Sequence, residues 1–120
     1  MVKKVAFLFP GQGSQAVGMG KDLYDNFEAA KNVFDTADKT LNKSITTICF
    51  EGPEEDLKQT VNTQPSIVTM SIAAMEALKS ELNINADFVA GHSLGEYCAM
   101  HAAGVMDLET TLKLIQKRAD

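Results

Sequence analysis

The pentapeptide Gly91-His92-Ser93-Leu94-Gly95 leaves few folds open to this chain. The residues before it, Ala86 to Ala90, read as a short strand, and Glu96 to Ala103 read as a small-residue helix ended by Gly104. A G-x-S-x-G stretch between a strand and a helix is the setting of a nucleophile elbow. Its glycines have a mechanical role: a sharp strand-to-helix turn brings the flanking backbones together, so side chains at 91 and 95 would clash, while Ser93 is pushed out at the head of the helix. With Gly and Ser each at about 7% usage, a chance match somewhere in a chain of this size has odds of roughly 4%, and the strand and helix context lowers them several-fold.

The rest of the chain agrees with an α/β design. Val5 to Phe9 is continuously apolar and bounded by Pro10 and Gly11, as expected of a parallel strand buried on both faces. Leu23, Phe27, Ala30, Phe34, Ala37 and Leu41 recur at helical spacing, so Lys21 to Leu41 is one or two amphipathic helices. Ser44 to Phe50 is short, apolar and ambiguous, and Gly52-Pro53 stops it. Pro53 followed by Glu54, Glu55 and Asp56 marks a helix start, with Pro in the first turn and acids at the positive end of the dipole. Thr63 is the expected N-cap of a core helix running to about Leu82, with Ile67, Met70, Ala74, Ala77 or Leu78, and Leu82 on the buried side. Asp107 caps a last helix reaching Asp120. Strands separated by helices imply a parallel sheet, yet two strands cannot cover both faces of their helices, so the chain reads as the front part of a larger sheet.

Composition narrows the function. Among 120 residues 45% are hydrophobic and 22% charged, an ordinary globular balance, and the net charge of −5 with scattered Lys and Arg argues against a nucleic-acid surface. No apolar run is long enough to span a bilayer, and Met-Val-Lys-Lys leads straight into the first strand without a signal-type cleavage site, so the expected location is the cytoplasm, away from membrane. Cys49 and Cys98 lack metal-type spacing and read as buried free thiols, and no metal site is expected.

"FPGQGSQAVGMG", Phe9 to Gly20, holds four glycines after the first strand and nearly spells a dinucleotide fingerprint. That reading needs an acidic ribose ligand about 20 residues on, at the end of a second strand, whereas Asp35 and Asp38 lie in a helical pattern. Gly11 and Gly13 therefore read as glycines that let this loop pass close to Ser93, and Gly18 and Gly20 as carrying the chain into the next helix. A nucleophilic serine also needs a base. Of the two histidines, His92 adjoins Ser93 with its side chain directed away from Oγ, and His101 lies eight residues along the helix, about 12 Å away. Neither suits proton transfer.

"FPGQGSQ", "NTQPSIV" opening a helix, "GHSLGEY" at the elbow and "KR" in the last helix together resemble the malonyl-coenzyme A:acyl carrier protein transacylases of the acyltransferase family, over essentially the whole chain. The resemblance implies that residues 1–120 are the N-terminal portion of a catalytic domain with an α/β-hydrolase-like core, without the small ferredoxin-like domain, the rest of the sheet or the catalytic histidine. It implies malonyl-coenzyme A as substrate with no permanent cofactor, acyl carrier protein as partner, and Ser93 as the nucleophile of a ping-pong transfer. The oxyanion donors would be the N–H groups of Leu94 and Gln12. Arg118 would bind the substrate carboxylate, with Gln64, Gly11 and His92 beside the substrate; Gln64 also reads simply as a polar residue at a helix start. The residues themselves support Arg118: about 80° from the centre of the Leu108, Leu112, Ile115 and Ala119 stripe, it sits at a flank from which it can reach inward, while Lys117 points to solvent. A synthase acyltransferase domain and a serine esterase of the α/β-hydrolase type are the alternatives. The 120-residue piece alone is expected to be inactive and to self-associate through open sheet edges.

Overall fold

The structure, a computed structural model, describes residues 3–120, so the reading of Met1 and Val2 as leading straight into the first strand lies outside the described residues. Strand β1 spans Ala6–Phe9 and pairs in parallel with β2, Phe88–Gly91, in the register Ala6↔Phe88 through Phe9↔Gly91. Two strands are present among the described residues, as the sequence implies, but they are not buried on both faces: Leu8 is 75% and Phe88 62% exposed. The outward positions of each strand, Ala6, Leu8, Phe88 and Ala90, are exposed.

The amphipathic segment after the glycine loop is two helices. Helix α1, Lys21–Asn26, ends where Phe27 turns extended at φ −131°, and α2, Glu28–Leu41, begins directly after it. Asn42 then closes α2 in the left-handed region at φ 51°, a conformation asparagine tolerates. The ambiguous stretch becomes helix α3, Ile45–Glu51. A carboxylate from the preceding helix fixes it there: Asp38 accepts hydrogen bonds from Thr46 N at 3.0 Å and Thr46 Oγ1 at 2.6 Å. This satisfies a donor that a helix start leaves free, which overrides the β-branched composition. Pro53 is the residue just before α4, Glu54–Leu57, one place earlier than expected.

Helix α5 spans Thr60–Leu82, with Gln59 as its N-cap, four residues earlier at its start than Thr63 as a cap would give. Thr63 is inside the helix and buried, and its hydroxyl donates backward to the carbonyls of Leu57 and Gln59 rather than accepting from an N–H ahead. The buried side of α5 is also broader than the predicted stripe. Val68, Thr69, Ile72 and Ala73 are fully enclosed, while Leu78 and Leu82 are exposed and Met70 and Ala74 only half-buried. The cause is geometry: α5 packs between α2 and the final helix, α7, Leu108–Ala119, while the Met70, Ala74 and Leu78 side faces an apolar trough of about 450 Å³ along β1.

The core lies among α2, α5 and α7, where Phe34, Ile72, Leu112 and Ile115 are wholly buried. Each such side chain stabilises the fold by roughly 1.5–3 kcal/mol. Phe34 also meets the rings of Tyr24 and Phe50 at centroid distances of 6.0 and 5.1 Å. Helix α6, Gly95–Ala102, covers one face of the sheet, and its buried Cys98 turns its Sγ toward the Val68 carbonyl of α5. The Asp107 cap of α7 is as expected: its carboxylate accepts from Thr110 N at 2.8 Å. No helix among the described residues is long and apolar enough to cross a membrane.

Candidate active site

The turn between β2 and α6 puts Ser93 at φ 56°, in the left-handed region that L-residues other than Asn and Asp rarely adopt. Both glycines around it are required by space. A Cβ on Gly91 would sit 2.0 Å from the Gly95 carbonyl oxygen, and one on Gly95 would sit 2.4 Å from that of Phe9. The turn is tied on each side, by His92 N donating to Phe9 O and Glu96 N donating to Ser93 O, both at 3.0 Å. The elbow is thereby locked to the end of β1, and Ser93 is left exposed.

The glycine loop approaches the same turn. A Cβ on Gly11 would lie 2.7 Å from His92 Nδ1 and 2.8 Å from the His92 carbonyl oxygen, so loop and elbow are in backbone contact there. His92 thus packs on the loop. Gly13 has no such neighbour and is required instead by its φ of 109°. Among the described residues, the N–H groups of Gln12 and Leu94 donate no hydrogen bond. Gly20 does more than direct the chain: at φ 85° it also lies against Phe34, with a Cβ there falling 2.5 Å from the ring.

Arg118 is brought to the serine from the last turn of α7. Its Nη2 donates to Ser93 Oγ at 2.9 Å and its Nη1 to Gln64 Oε1 at 2.9 Å. Gln64 is 7% exposed, so one arm of the guanidinium rests on a nearly buried acceptor while the other meets the candidate nucleophile. Tyr97, in the first turn of α6, adds its ring 5.8 Å from the guanidinium carbon, a cation–π contact. Nothing in the sequence spacing singled out Tyr97 for this. Lys117 and Arg118 are both exposed, so it is the hydrogen bonds to Ser93 and Gln64, not burial, that set Arg118 apart from its neighbour. The arrangement gives a fixed positive fork beside a hydroxyl on a strained turn, suited to an acyl group that carries its own carboxylate.

His101 closes α6 by pairing its Nδ1 with the Met106 carbonyl at 2.9 Å, and among the described residues Ser93 Oγ is bonded to Arg118, not to an imidazole. Asp35 and Asp38 sit in α2, the first accepting from Tyr24 OH at 2.9 Å and the second capping α3. The fingerprint's acid at a strand end is therefore absent among the described residues. Cys49 and Cys98 are buried free thiols, pushed up by burial to about 11 and about 12. No cluster of three or more His, Cys, Asp or Glu side chains able to hold a metal occurs among the described residues.

Comparison with known proteins agrees with this geometry. Residues 6–119 match the family described as acyl transferase domain. The chain is 50% identical over 119 residues to the malonyl CoA-acyl carrier protein transacylase of Bacillus subtilis strain 168, covering 99% of this chain and 37% of that protein's length. The crystal structure of a malonyl CoA-acyl carrier protein transacylase from Clostridium perfringens ATCC 13124 superposes with a TM-score of 0.91 at 42% identity, over 98% of this chain and 37% of that one. A malonyl-transacylase solved in complex with its type II PKS acyl-carrier protein superposes equally well, TM-score 0.91 at 36% identity, over 98% of this chain and 38% of that one. An elbow serine, a glycine loop against it and a family match across residues 6–119 have one common explanation: the chain belongs to the acyl transferase domain family.

Proposed function

We propose that Ser93 is the nucleophile of a ping-pong malonyl transfer from malonyl-coenzyme A to the phosphopantetheine thiol of acyl carrier protein, in fatty acid biosynthesis. Ser93 Oγ attacks the thioester carbonyl, its proton passes to a base, and the carbonyl oxygen becomes an oxyanion held by the N–H groups of Leu94 and Gln12. Collapse expels the coenzyme A thiol and leaves malonyl-serine, which the carrier thiol attacks through the same oxyanion. Arg118 pairs with the malonyl carboxylate through the fork that in this structure meets Ser93 and Gln64. Gly11 and His92 form the wall where loop meets elbow.

The observation that carries this reading is the 2.9 Å contact between Arg118 Nη2 and Ser93 Oγ. An esterase acting on neutral acyl groups has no use for a cation there. The transacylase names of the relatives and the carrier protein in one solved complex support both substrates. The same chemistry in a synthase acyltransferase domain differs only in how the carrier is tethered, and 50% identity to a B. subtilis transacylase favours the discrete enzyme.

Because the chain spans 37% of that relative, we further propose that residues 1–120 form the N-terminal portion of the catalytic domain. The remainder would supply the base, more strands of an α/β-hydrolase-like sheet and the ferredoxin-like domain. The piece alone is then inactive. The test uses the full reading frame containing this chain: Arg118→Ala is expected to lower the malonyl over acetyl preference by about 100-fold, the equivalent of roughly 3 kcal/mol of charge-assisted bonding. Ser93→Ala is expected to abolish the acyl-enzyme seen by mass spectrometry. An unchanged preference in the Arg118 variant would instead favour the esterase reading.

A further inference from the structure

Pro65 lies inside α5 and has no N–H, so the Val61 carbonyl one turn back lacks its ordinary helical partner. Two side chains from distant segments occupy that carbonyl. Lys43 Nζ donates to it at 3.1 Å from the turn between α2 and α3, and Gln116 Nε2 donates at 3.0 Å from the last turns of α7. They also bond to each other, Lys43 Nζ donating to Gln116 Oε1 at 3.2 Å. The remaining amide hydrogen of Gln116 goes to Asp120 Oδ1 at 3.0 Å. One amide orientation satisfies all of this, because the ammonium needs an acceptor while the carbonyl and carboxylate need donors. Lys43, Val61 and Gln116 are all half-buried, which shields the bonds from competing water.

The position of this clasp matters. Val61 is three residues before Gln64, and Gln116 is two residues before Arg118. The clasp therefore ties α5 to α7 within one turn of the Arg118–Gln64 hydrogen bond that aims the fork. We propose that Lys43 and Gln116 are positioning residues that act through the open Val61 carbonyl to hold Arg118 in register with Gln64 and Ser93, and thereby set the preference for a carboxylate-bearing acyl group. This rests on the reading of Arg118 as the carboxylate fork.

The test again uses the full-length protein. Gln116→Leu and Lys43→Met are expected to raise the KM for malonyl-coenzyme A about tenfold, the effect of losing one charge-assisted bond's alignment. Labelling of Ser93 by a neutral sulfonyl fluoride and the melting temperature should stay near wild type, which separates positioning from general loosening. Lys43→Arg should restore the wild-type KM. Pro65→Ala, which returns an N–H to compete for the Val61 carbonyl without altering the clasp side chains, should move KM in the same direction. If Gln116→Leu leaves the KM unchanged, or slows labelling and transfer equally, the positioning role is overturned. If Arg118→Ala leaves acyl preference intact, the fork reading itself fails, and that outcome is seen independently of the clasp variants.

Discussion

Ser93 holds a backbone conformation that costs an L-residue about 1–2 kcal/mol, and the hydrogen bonds of the turn on either side keep it there. Replacing it with glycine relieves that cost. Ser93→Gly is therefore expected to raise the melting temperature by a few degrees while transfer is lost, an exchange of stability against activity measurable by calorimetry. A lower melting temperature would mean that the serine hydroxyl's bond to Arg118 outweighs the strain. At this scale the sequence was a good guide wherever close approach is local: the glycines at 91 and 95 follow from the turn that G-x-S-x-G demands. It was a poor guide where contact depends on how helices cross. Gly20 against Phe34, and the Tyr97 ring beside Arg118, join residues whose spacing along the chain carries no signal of their meeting.

Helix ends show the same contrast between local and distant partners. Asp107 was legible as a cap because its acceptor, the Thr110 N–H, lies three residues ahead. Thr63 has a capping residue's side chain but uses it as a donor to carbonyls behind it, so the helix starts earlier. The Asp107 carboxyl is held below its usual range, chiefly by the Thr110 hydrogen bond. A depressed folded pKa means that the stabilisation is present above the unfolded value and is lost as pH falls through the folded one. The melting temperature of the wild type is thus expected to fall more steeply below about pH 4 than that of Asp107→Asn, which keeps an acceptor but does not titrate. Parallel acid limbs for the two proteins would refute the assignment. Helix α3 was illegible for a related reason: Asp38, which fixes its first turn, belongs to the preceding helix.

Across the whole molecule, the helical side is a closed core and the sheet is not. The α/β alternation and the parallel pairing were readable from the sequence, because apolar runs and helical periodicity are local patterns. Coverage of the sheet was not, since Val5 to Phe9 is equally apolar whether or not something lies over Leu8. With Leu8 and Phe88 both more than half exposed, the isolated 120-residue chain is expected to sediment as oligomers. Leu8→Thr combined with Phe88→Thr should shift it toward monomer, and an already monomeric parent chain would overturn the expectation. The register of the two strands has a consequence in time as well. Ala6 and its partner Phe88 are 82 residues apart. At a synthesis rate of about 5–20 residues per second, the first strand waits roughly 4–16 s for its partner to be made. Throughout that interval Phe7, Leu8 and Phe9 lack the strand that pairs with them in the folded chain.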